Sequence, residues 1–453
     1  MVLRAAVSAA PRQLLSVTDG VFLTVGMIIG ALIFKAPSTV AGATSGTAEF
    51  LFAWLLGGAV SLCGALVYAE LAGRHPDTGG EYVFLTEGLG KGVAFLFAWS
   101  RMTVIQTGAI AAVAFVFGDY ASEILNLGAH SSAVWAALAV AALTLLNFAG
   151  TLQSKALQKT MEIALIACLV LFSIAALAIG GSPVKETPAA SGSDGGSFGF
   201  AMIFVLLAYG GWNEAAYLAG EVRDGRRNMT RILVTGVLAV TALYLLVNLG
   251  FLAVLGHGGI RESKAVAADV MRAIAGEKGA LLTALMVCVS VLTTINAAIF
   301  TGARTTYALG RDFRLFRLLG AWRETGSTPA NALLLQGAIT LALVGAGAAT
   351  PDGFNAMVAY TSPVFWTFFL LTGVTLFCFR FQDRKRNKPP ADINVAFYPV
   401  VPLIFCATCA YMLYSSIDYV RNPVFGPKFG DAVLAGLAIM AAGIPLYWLA
   451  RKK

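Results

Sequence analysis

The chain has 453 residues, of which 58% are hydrophobic and only 12% are charged, and its mean hydropathy is +0.76. A soluble domain carries about twice that share of charged residues, because its surface faces water. The composition therefore excludes a soluble enzyme or a soluble binding module, and it predicts a protein with many membrane-spanning helices.

The formal net charge of +8 could indicate a nucleic acid or another polyanion as partner, so the placement of the charges decides its meaning. Most of the 32 Lys and Arg residues fall in loops assigned to one side of the membrane, and only Lys35 and Arg101 lie inside predicted spans. Such an excess marks the cytoplasmic side. We therefore expect no nucleic-acid partner, a multi-pass protein of the cell (inner) membrane, and both termini in the cytoplasm.

Twelve apolar segments are each near the roughly twenty residues that a helix needs to cross a bilayer. They cover residues 19–42, 46–72, 92–117, 132–150, 157–180, 198–220, 231–255, 279–308, 330–349, 354–380, 396–415 and 431–450. The predicted organisation is a cytoplasmic lead-in (1–18), five spans (19–180), an extracellular loop (181–197), five more spans (198–380), a cytoplasmic loop (381–395), and two last spans with a basic C-terminus (396–453).

The first span is interrupted by glycines near its centre, in residues 26–34, Gly-Met-Ile-Ile-Gly-Ala-Leu-Ile-Phe. Glycine costs about 1 kcal/mol in a helix interior, and lipid offers no partner to a free backbone amide or carbonyl. The interruption predicts an unwound segment whose peptide groups bind a buried ligand. The alternative is that these glycines only allow close helix packing.

The sixth span carries a second interruption, Tyr209-Gly210-Gly211-Trp212, five spans after the first. Interrupted spans at corresponding positions of two halves are typical of an inverted repeat related by a pseudo-two-fold axis. The predicted fold class is an all-α membrane protein with twelve transmembrane helices. It has a 5+5 inverted repeat with discontinuous helices 1 and 6, and two extra C-terminal helices.

Three motifs carry a resemblance to a known family. Residues 30–37 read Gly-Ala-Leu-Ile-Phe-Lys-Ala-Pro, residues 76–82 read Pro-Asp-Thr-Gly-Gly-Glu-Tyr, and residues 207–214 read Leu-Ala-Tyr-Gly-Gly-Trp-Asn-Glu. On these motifs the chain resembles the amino acid–polyamine–organocation (APC) superfamily. The resemblance implies a leucine-transporter-like fold and an amino acid permease.

A free amino acid presents a carboxylate and an ammonium group close together. Amides at the start of the second half of helix 1 suit the carboxylate, and carbonyls next to both interruptions suit the ammonium. The resemblance implies the same arrangement. The predicted substrate-binding residues are Met27, Ile28, Ile29, Gly30, Ala31, Leu32, Ala208, Tyr209, Gly210, Gly211 and Trp212.

Three side chains of this predicted site bear on specificity. Most members of the family have a second glycine where this chain has Leu32, which leaves less room beside the carboxylate. The resemblance implies that Tyr209 is a gate over the bound side chain, whereas packing is the favoured interpretation for Trp212. Because no long-chain acidic pocket is evident, small neutral amino acids are favoured over polyamines or cationic amino acids.

Ionisable groups inside spans are costly, which makes each a candidate for ion coupling or for an internal ion pair. Glu162 is a candidate proton carrier, and an interfacial salt bridge to Lys159 is its equal alternative. Leu165 stands where some members of the family have a lysine in place of a sodium ion. Thr293 and Thr294 could offer oxygens to sodium, but hydroxyls in helices usually bond their own backbone.

The two basic residues inside spans receive different interpretations. Arg101 needs a carboxylate partner, for which Glu162, Glu214 and Glu221 are candidates, and a structural ion pair is the expected outcome. Lys35, near the outer end of the first span, is expected to extend to the membrane interface and to have no chemical role.

The chain shows no nucleophile and base pair, no metal-ligand spacing and no phosphate-binding glycine loop, so we expect neither an enzyme nor a cofactor or metal. The predicted function is secondary active transport of small neutral amino acids by alternating access, coupled to a proton or working by exchange, with sodium as a further candidate ion. Its partners are the amino acid and the lipid bilayer, and its oligomeric state is open. A non-transporting scaffold or amino acid sensor of the same fold, or a polyamine or cationic amino acid exchanger, stays possible.

Overall fold

A computed structural model describes most of the chain. The described residues are 16–75, 80–150, 155–179, 197–215, 222, 225–324, 328–385, 395–418 and 427–451. Their α-helices are α1 (Val17–Ile28), α2 (Ala36–Gly42), α3 (Thr47–Arg74), α4 (Gly80–Leu89), α5 (Lys91–Ser100), α6 (Gln106–Ile124), α7 (Ser131–Ala149), α8 (Lys155–Ile179), α9 (Ser197–Ala208), α10 (Trp212–Ala215), α11 (Gly225–Glu262), α12 (Val266–Asp312), α13 (Ala330–Ala348), α14 (Gly353–Lys385), α15 (Val400–Asp418) and α16 (Pro427–Arg451).

The all-helical membrane fold is confirmed on these residues. Ten helices in the described part of the chain are long and apolar enough to cross a membrane. Shorter apolar helices, Val17–Ile28 and Leu165–Ile179, lie at the predicted first and fifth spans. The count of twelve spans, the inverted repeat and the division into segments stay predictions. The predicted lead-in and extracellular loop fall almost wholly outside the described residues, as does most of the loop 381–395.

The first interrupted helix loses its regular geometry at Ile29 and Gly30. α1 begins with a capping box in which the Ser16 hydroxyl accepts from the amide of Asp19 and the Asp19 carboxylate accepts from the amide of Ser16. At Ile29 the backbone becomes extended, with ψ 94°, and Gly30 is extended too. The chain then forms a 3₁₀ turn, Ala31–Phe34, before α2 begins.

The second interruption lies between α9 and α10, at Tyr209, Gly210 and Gly211. Gly211 has φ +112°, a backbone conformation that strongly favours glycine. A β-carbon added to Gly211 would lie 2.3 Å from the carbonyl oxygen of Met27. The two interruptions therefore touch each other through backbone atoms, and only glycine fits at this contact.

The helices pack as two groups. In the first helix group, α11 packs on α1, α2 and α3, while α9 packs on α2 and α3. In the second helix group, α6 packs on α7, α12 and α13. The 3₁₀ turn Ala31–Phe34 crosses between the groups, because it contacts both α6 and α12. Both interruptions thus belong to the first helix group and face the second.

A buried carboxylate fixes one end of this arrangement. Glu70, which is fully buried at the end of α3, accepts two hydrogen bonds from Arg380 on α14, at 2.9 and 2.6 Å. It also accepts from the Nε of Arg74 at 2.9 Å and from the amide of Val395 at 2.7 Å. Because each oxygen is paired, the buried carboxylate ties α3, α14 and the start of the α15 segment together.

The prediction for Lys35 is wrong. Lys35 is only 5% exposed, and its ammonium lies 2.8 Å from Asp119 on α6 and 4.0 Å from Asp352, just before α14. The prediction assumed a regular helix that carries residue 35 to the interface. The 3₁₀ turn before Lys35 changes the direction of the chain and places the side chain among the helices instead.

We expect Gly211→Ala to destabilise the protein by more than about 1 kcal/mol, because it adds a β-carbon against Met27 at a positive φ. The matched control is Gly345→Ala, in the interior of α13, where an added β-carbon meets no atom within 4 Å apart from its own local helix backbone. The control should leave the melting temperature of the detergent-purified protein unchanged or raise it. Equal melting temperatures for the two variants would contradict the contact.

Candidate functional site

A cavity of about 670 Å³ lies between the two helix groups, beside both interruptions. Its wall from the first group consists mainly of backbone and apolar side chains, including Ile203 and Leu207, and its wall from the second group includes Ile105, Ala109 and Val113 of the third span. Ligand cavities of this size with a few converging polar groups are the usual form of a small-molecule site.

The structure brings nearly all of the predicted substrate-binding residues to this cavity. The residues that line it are Met27, Ile28, Ile29, Gly30, Ala31, Leu32, Ala208, Gly210 and Gly211. Gly30 precedes the 3₁₀ turn, and no side chain caps the amides there. The amides at the start of the 3₁₀ turn therefore have no side-chain acceptor in the described part of the chain, and they lie at the cavity wall.

Tyr209 and Trp212 lie elsewhere. Tyr209 is fully buried, and its hydroxyl donates to the carbonyl of Trp54 on α3 at 3.0 Å. The structure therefore does not support Tyr209 as a gate, because its backbone within the interruption turns the ring away from the cavity. Trp212 packs edge-on against Tyr68 and Phe369, in agreement with the packing interpretation. Leu207 lines the cavity in place of these aromatic rings.

Tyr244 on α11, which the sequence analysis missed, joins the two interruptions. Its hydroxyl lies 3.1 Å from the carbonyl oxygen of Ile28 and 3.1 Å from that of Ala208. The ring is fully buried beside Trp54 and Tyr209. One hydroxyl proton shared by two carbonyls holds both at a fixed separation, and each carbonyl keeps a lone pair for another donor.

One end of the cavity is charged. Arg101 lies at the start of a π-helical turn, Arg101–Ile105, and its guanidinium is 3.0 Å from Glu214 on α10 and 3.8 Å from Glu81 on α4. The predicted ion pair is confirmed for Glu214, whereas Glu221 lies outside the described residues and the Glu162 side chain is not described. Glu81 also accepts a hydrogen bond from the side-chain amide of Asn213 at 3.0 Å. Burial raises the pKa of the Glu81 carboxyl, and Arg101 opposes the shift.

Comparison with known proteins agrees with this geometry. The profile of a family described as amino acid permease matches residues 15–439. The chain belongs to that family. The permease is 28% identical over 442 residues to the serine/threonine exchanger SteT of Bacillus subtilis, a match that covers 95% of each chain. It is 27% identical over 411 residues to the b(0,+)-type amino acid transporter 1 of Rattus norvegicus, covering 88% of the permease and 81% of the rat protein.

The matches confirm the resemblance to the APC superfamily. The family and both relatives are transporters, and the described part of the permease holds no group of three or more His, Cys, Asp or Glu side chains that could bind a metal.

Three of the four residues predicted to take part in ion coupling lie at the cavity, and the side chain of the fourth, Glu162, is not described. Leu165, Thr293 and Thr294 all line the cavity. The hydroxyls of Thr293 and Thr294 both donate to the carbonyl of Ser290, at 2.7 and 3.2 Å, as hydroxyls in helices usually do. Each hydroxyl oxygen can still accept or coordinate, so the sodium hypothesis stays a prediction.

We expect Tyr244→Phe to weaken amino acid binding, because it frees the carbonyls of Ile28 and Ala208 to move apart. The matched control is Tyr360→Phe, which removes a buried hydroxyl that donates to the carbonyl of Thr103 at 3.0 Å, away from the interruptions. Each variant should lose about 1 kcal/mol of stability. Only Tyr244→Phe should raise the substrate concentration that half-saturates uptake; equal values for both variants would contradict this role.

Proposed function

We propose that the permease is a secondary active transporter that carries small neutral amino acids across the cell membrane by alternating access, with both termini in the cytoplasm. The observation that carries the proposal is the meeting of two interrupted helices at one cavity, whose wall contains the backbone of both interruptions. Such a site suits a zwitterion, because its two charges need hydrogen bonds rather than side-chain ions.

The amino acid lies between the interruptions in this proposal. Its carboxylate accepts hydrogen bonds from the amides of Ala31 and Leu32, at the start of the 3₁₀ turn. Its ammonium donates to the carbonyls around Ile28 and Ala208, whose second lone pairs Tyr244 leaves free. Each contact is charge-assisted and therefore stronger than a neutral hydrogen bond.

The substrate side chain is small and neutral because of the cavity wall. The wall next to the interruptions is formed by Ile105, Val113, Leu207, Phe365 and Trp366, which offer no ionic partner. The charged side chains Arg101 and Glu214 pair with each other. A neutral substrate side chain therefore fits this wall, because burying it does not leave a charge without a partner.

Exchange of one amino acid for another is the favoured mode, since a relative that matches along almost its entire length is named a serine/threonine exchanger. Proton coupling through Glu162 is the alternative mode. A non-transporting scaffold or sensor is the alternative function, supported only by the departures from the family pattern at Leu32 and Leu165.

A cationic substrate is the second candidate, and a specific observation favours it. At the charged end of the cavity Arg101 has two carboxylate neighbours, Glu214 in the cavity wall and the buried Glu81 behind it. An ammonium or guanidinium group of a substrate would balance that charge. Lysine, arginine and putrescine therefore belong in the panel of test compounds.

The test is counterflow in proteoliposomes: vesicles loaded with one unlabelled amino acid are exposed to each labelled test compound in turn, and uptake of the label is measured. The assay is repeated with imposed pH and sodium gradients. Exchange of serine, threonine, alanine or another small neutral amino acid is the expected result. Preferential exchange of lysine, arginine or putrescine would support the second candidate. No flux with any of the twenty amino acids would overturn transport and favour the scaffold.

We expect Leu32→Gly to raise uptake or broaden specificity, because Leu32 lines the cavity beside the amides assigned to the carboxylate. The matched control is Leu285→Gly, which removes an equal side chain from the same cavity but from a different helix, α12. Initial rates across the amino acid panel measure the effect. Kinetics identical to the unmodified permease would show that Leu32 does not restrict the substrate.

Proton coupling through Glu162 predicts that Glu162→Gln abolishes the response of uptake to an imposed pH gradient, since glutamine cannot release a proton. Exchange between equal pools should continue in the variant. The control is Glu277→Gln, at a side chain that is 81% exposed. Uptake that still follows the pH gradient in Glu162→Gln would exclude this residue as the proton carrier.

A further inference from the structure

The cavity of about 670 Å³ has a part that lies between α8 and α12, which we call the side branch. The side chains that line it are Leu165, Cys168, Leu169 and Phe172 of α8 and Leu285, Met286, Val287 and Val289 of α12. Thr283 adds a hydroxyl, but this hydroxyl donates to the carbonyl of Gly279 at 2.9 Å. The side branch therefore offers an apolar surface to a ligand.

The α12 wall of the side branch continues onto the surface that faces lipid. Leu281 and Leu282 are exposed, lie on a span and do not line the cavity. One and two turns further along the same face of the helix, Leu285, Met286 and Val289 are exposed and do line it. One apolar stripe thus runs without a break from the bilayer into the cavity.

The α8 wall shows the same transition. Leu171 is 67% exposed and does not line the cavity, whereas Cys168 and Phe172, on either side of it in sequence, do. α8 packs mainly on α11. It meets α12 where the Cys168 Sγ lies 3.9 Å from the Sδ of Met286, and this contact is itself exposed. The side branch is therefore open to the bilayer between α8 and α12.

The side branch is separate from the place proposed for the zwitterion. A β-carbon added to Gly30 would lie 3.8 Å from the methyl group of Thr294, so the first interruption meets α12 at that residue. Val289 and Leu285 precede Thr294 by roughly 7.5 and 13.5 Å along the helix, at 1.5 Å per residue. A small amino acid bound through its two charges at the interruptions leaves the side branch unfilled.

We propose that the side branch binds the acyl chain of a membrane phospholipid, which enters from the bilayer between α8 and α12 and completes the cavity wall. This inference goes beyond the proposed function, because it assigns a second ligand that is not transported.

The physical basis is that an apolar cavity of this size is poorly filled by anything else. Water needs two to four polar partners, which these side chains do not offer, and apolar cavities in proteins take up apolar ligands. An unfilled wall also loses the dispersion contacts that a neighbouring atom would provide. The acyl chain is the apolar group that the bilayer presents at the opening.

The opening favours an acyl chain over the side chain of a large substrate. A site for a small molecule usually encloses most of the ligand surface. The side branch instead stays open at the exposed side chains of Leu285, Met286 and Val289. An acyl chain suits such an open edge, because the part of the chain that is outside the protein remains in hydrocarbon.

The test locates an acyl chain by photocrosslinking. The permease is reconstituted into phosphatidylcholine vesicles in which part of the lipid carries a diazirine near the end of one acyl chain. After irradiation, adducts are assigned to residues by digestion and mass spectrometry. Leu169 and Val287 are the interior reporters, since both line the cavity and are only 2% exposed. Leu171 and Leu281 are the reporters of bulk lipid.

Adducts are expected at both kinds of reporter in the unmodified permease. Val289→Trp, which fills the side branch, should lower the adducts at Leu169 by at least about tenfold, the change that about 1.4 kcal/mol of binding free energy produces. Adducts at Leu171 should not change. The matched control is Leu282→Trp, on the same helix and exposed but outside the cavity, which should lower neither. Leu285→Trp is the second variant if size exclusion shows that Val289→Trp is misfolded.

Three results would overturn the inference. The first is adducts confined to Leu171 and Leu281, and the second is an equal loss of interior adducts in Val289→Trp and Leu282→Trp. The third is interior adducts that persist in Val289→Trp while counterflow of phenylalanine or leucine is lost, since the branch would then hold a substrate side chain. Crosslinking needs no transport, so absence of counterflow in the unmodified permease would refute the proposed function alone.

Discussion

Two interrupted helices of the permease meet through backbone atoms, where the α-carbon of Gly211 faces the carbonyl of Met27. A β-carbon on Gly211 would lie 2.3 Å from the carbonyl oxygen of Met27 and would force the two helices apart. Lipid could not satisfy the peptide groups that the interruptions set free. Because the contact is held, the free amides and carbonyls face one cavity instead of the membrane. The hydroxyl of Tyr244 then bonds two of those carbonyls, those of Ile28 and Ala208, and so holds the two interruptions together.

The remaining structure positions this meeting point between two helix groups. The first group carries both interruptions, and the second provides the third span and α12 as the opposite wall. Backbone groups supply polarity to the substrate, while ionic side chains are used at the ends of the cavity, where Lys35 and Arg101 each find carboxylates.

Much of this arrangement was predictable from sequence, because glycine in the middle of an apolar span has a definite cost. The interruptions near Gly30 and at Gly211 follow from that cost. The cost of a charge inside a span predicted an ion pair for Arg101, but three carboxylates stayed open as its partner until the structure showed Glu214. Side-chain directions inside or next to an interruption do not follow helical periodicity, so the position of Lys35 was predicted wrongly, and the structure does not support the gate role expected of Tyr209. Tyr244 was missed because a single tyrosine in an apolar helix gives no signal that separates a bridging hydroxyl from ordinary packing. Glu81 was part of a recognised motif, but its contact with Arg101 depends on tertiary structure.

The central claim is that backbone groups of the two interruptions bind the carboxylate and the ammonium of the substrate. Competition in the counterflow assay by three forms of the best substrate tests it most directly: the free amino acid, its methyl ester and its N-acetyl derivative. The account predicts that either blocked form competes at least about tenfold more weakly than the free amino acid, since each loses a charge-assisted contact. Equal competition by either blocked form would contradict it.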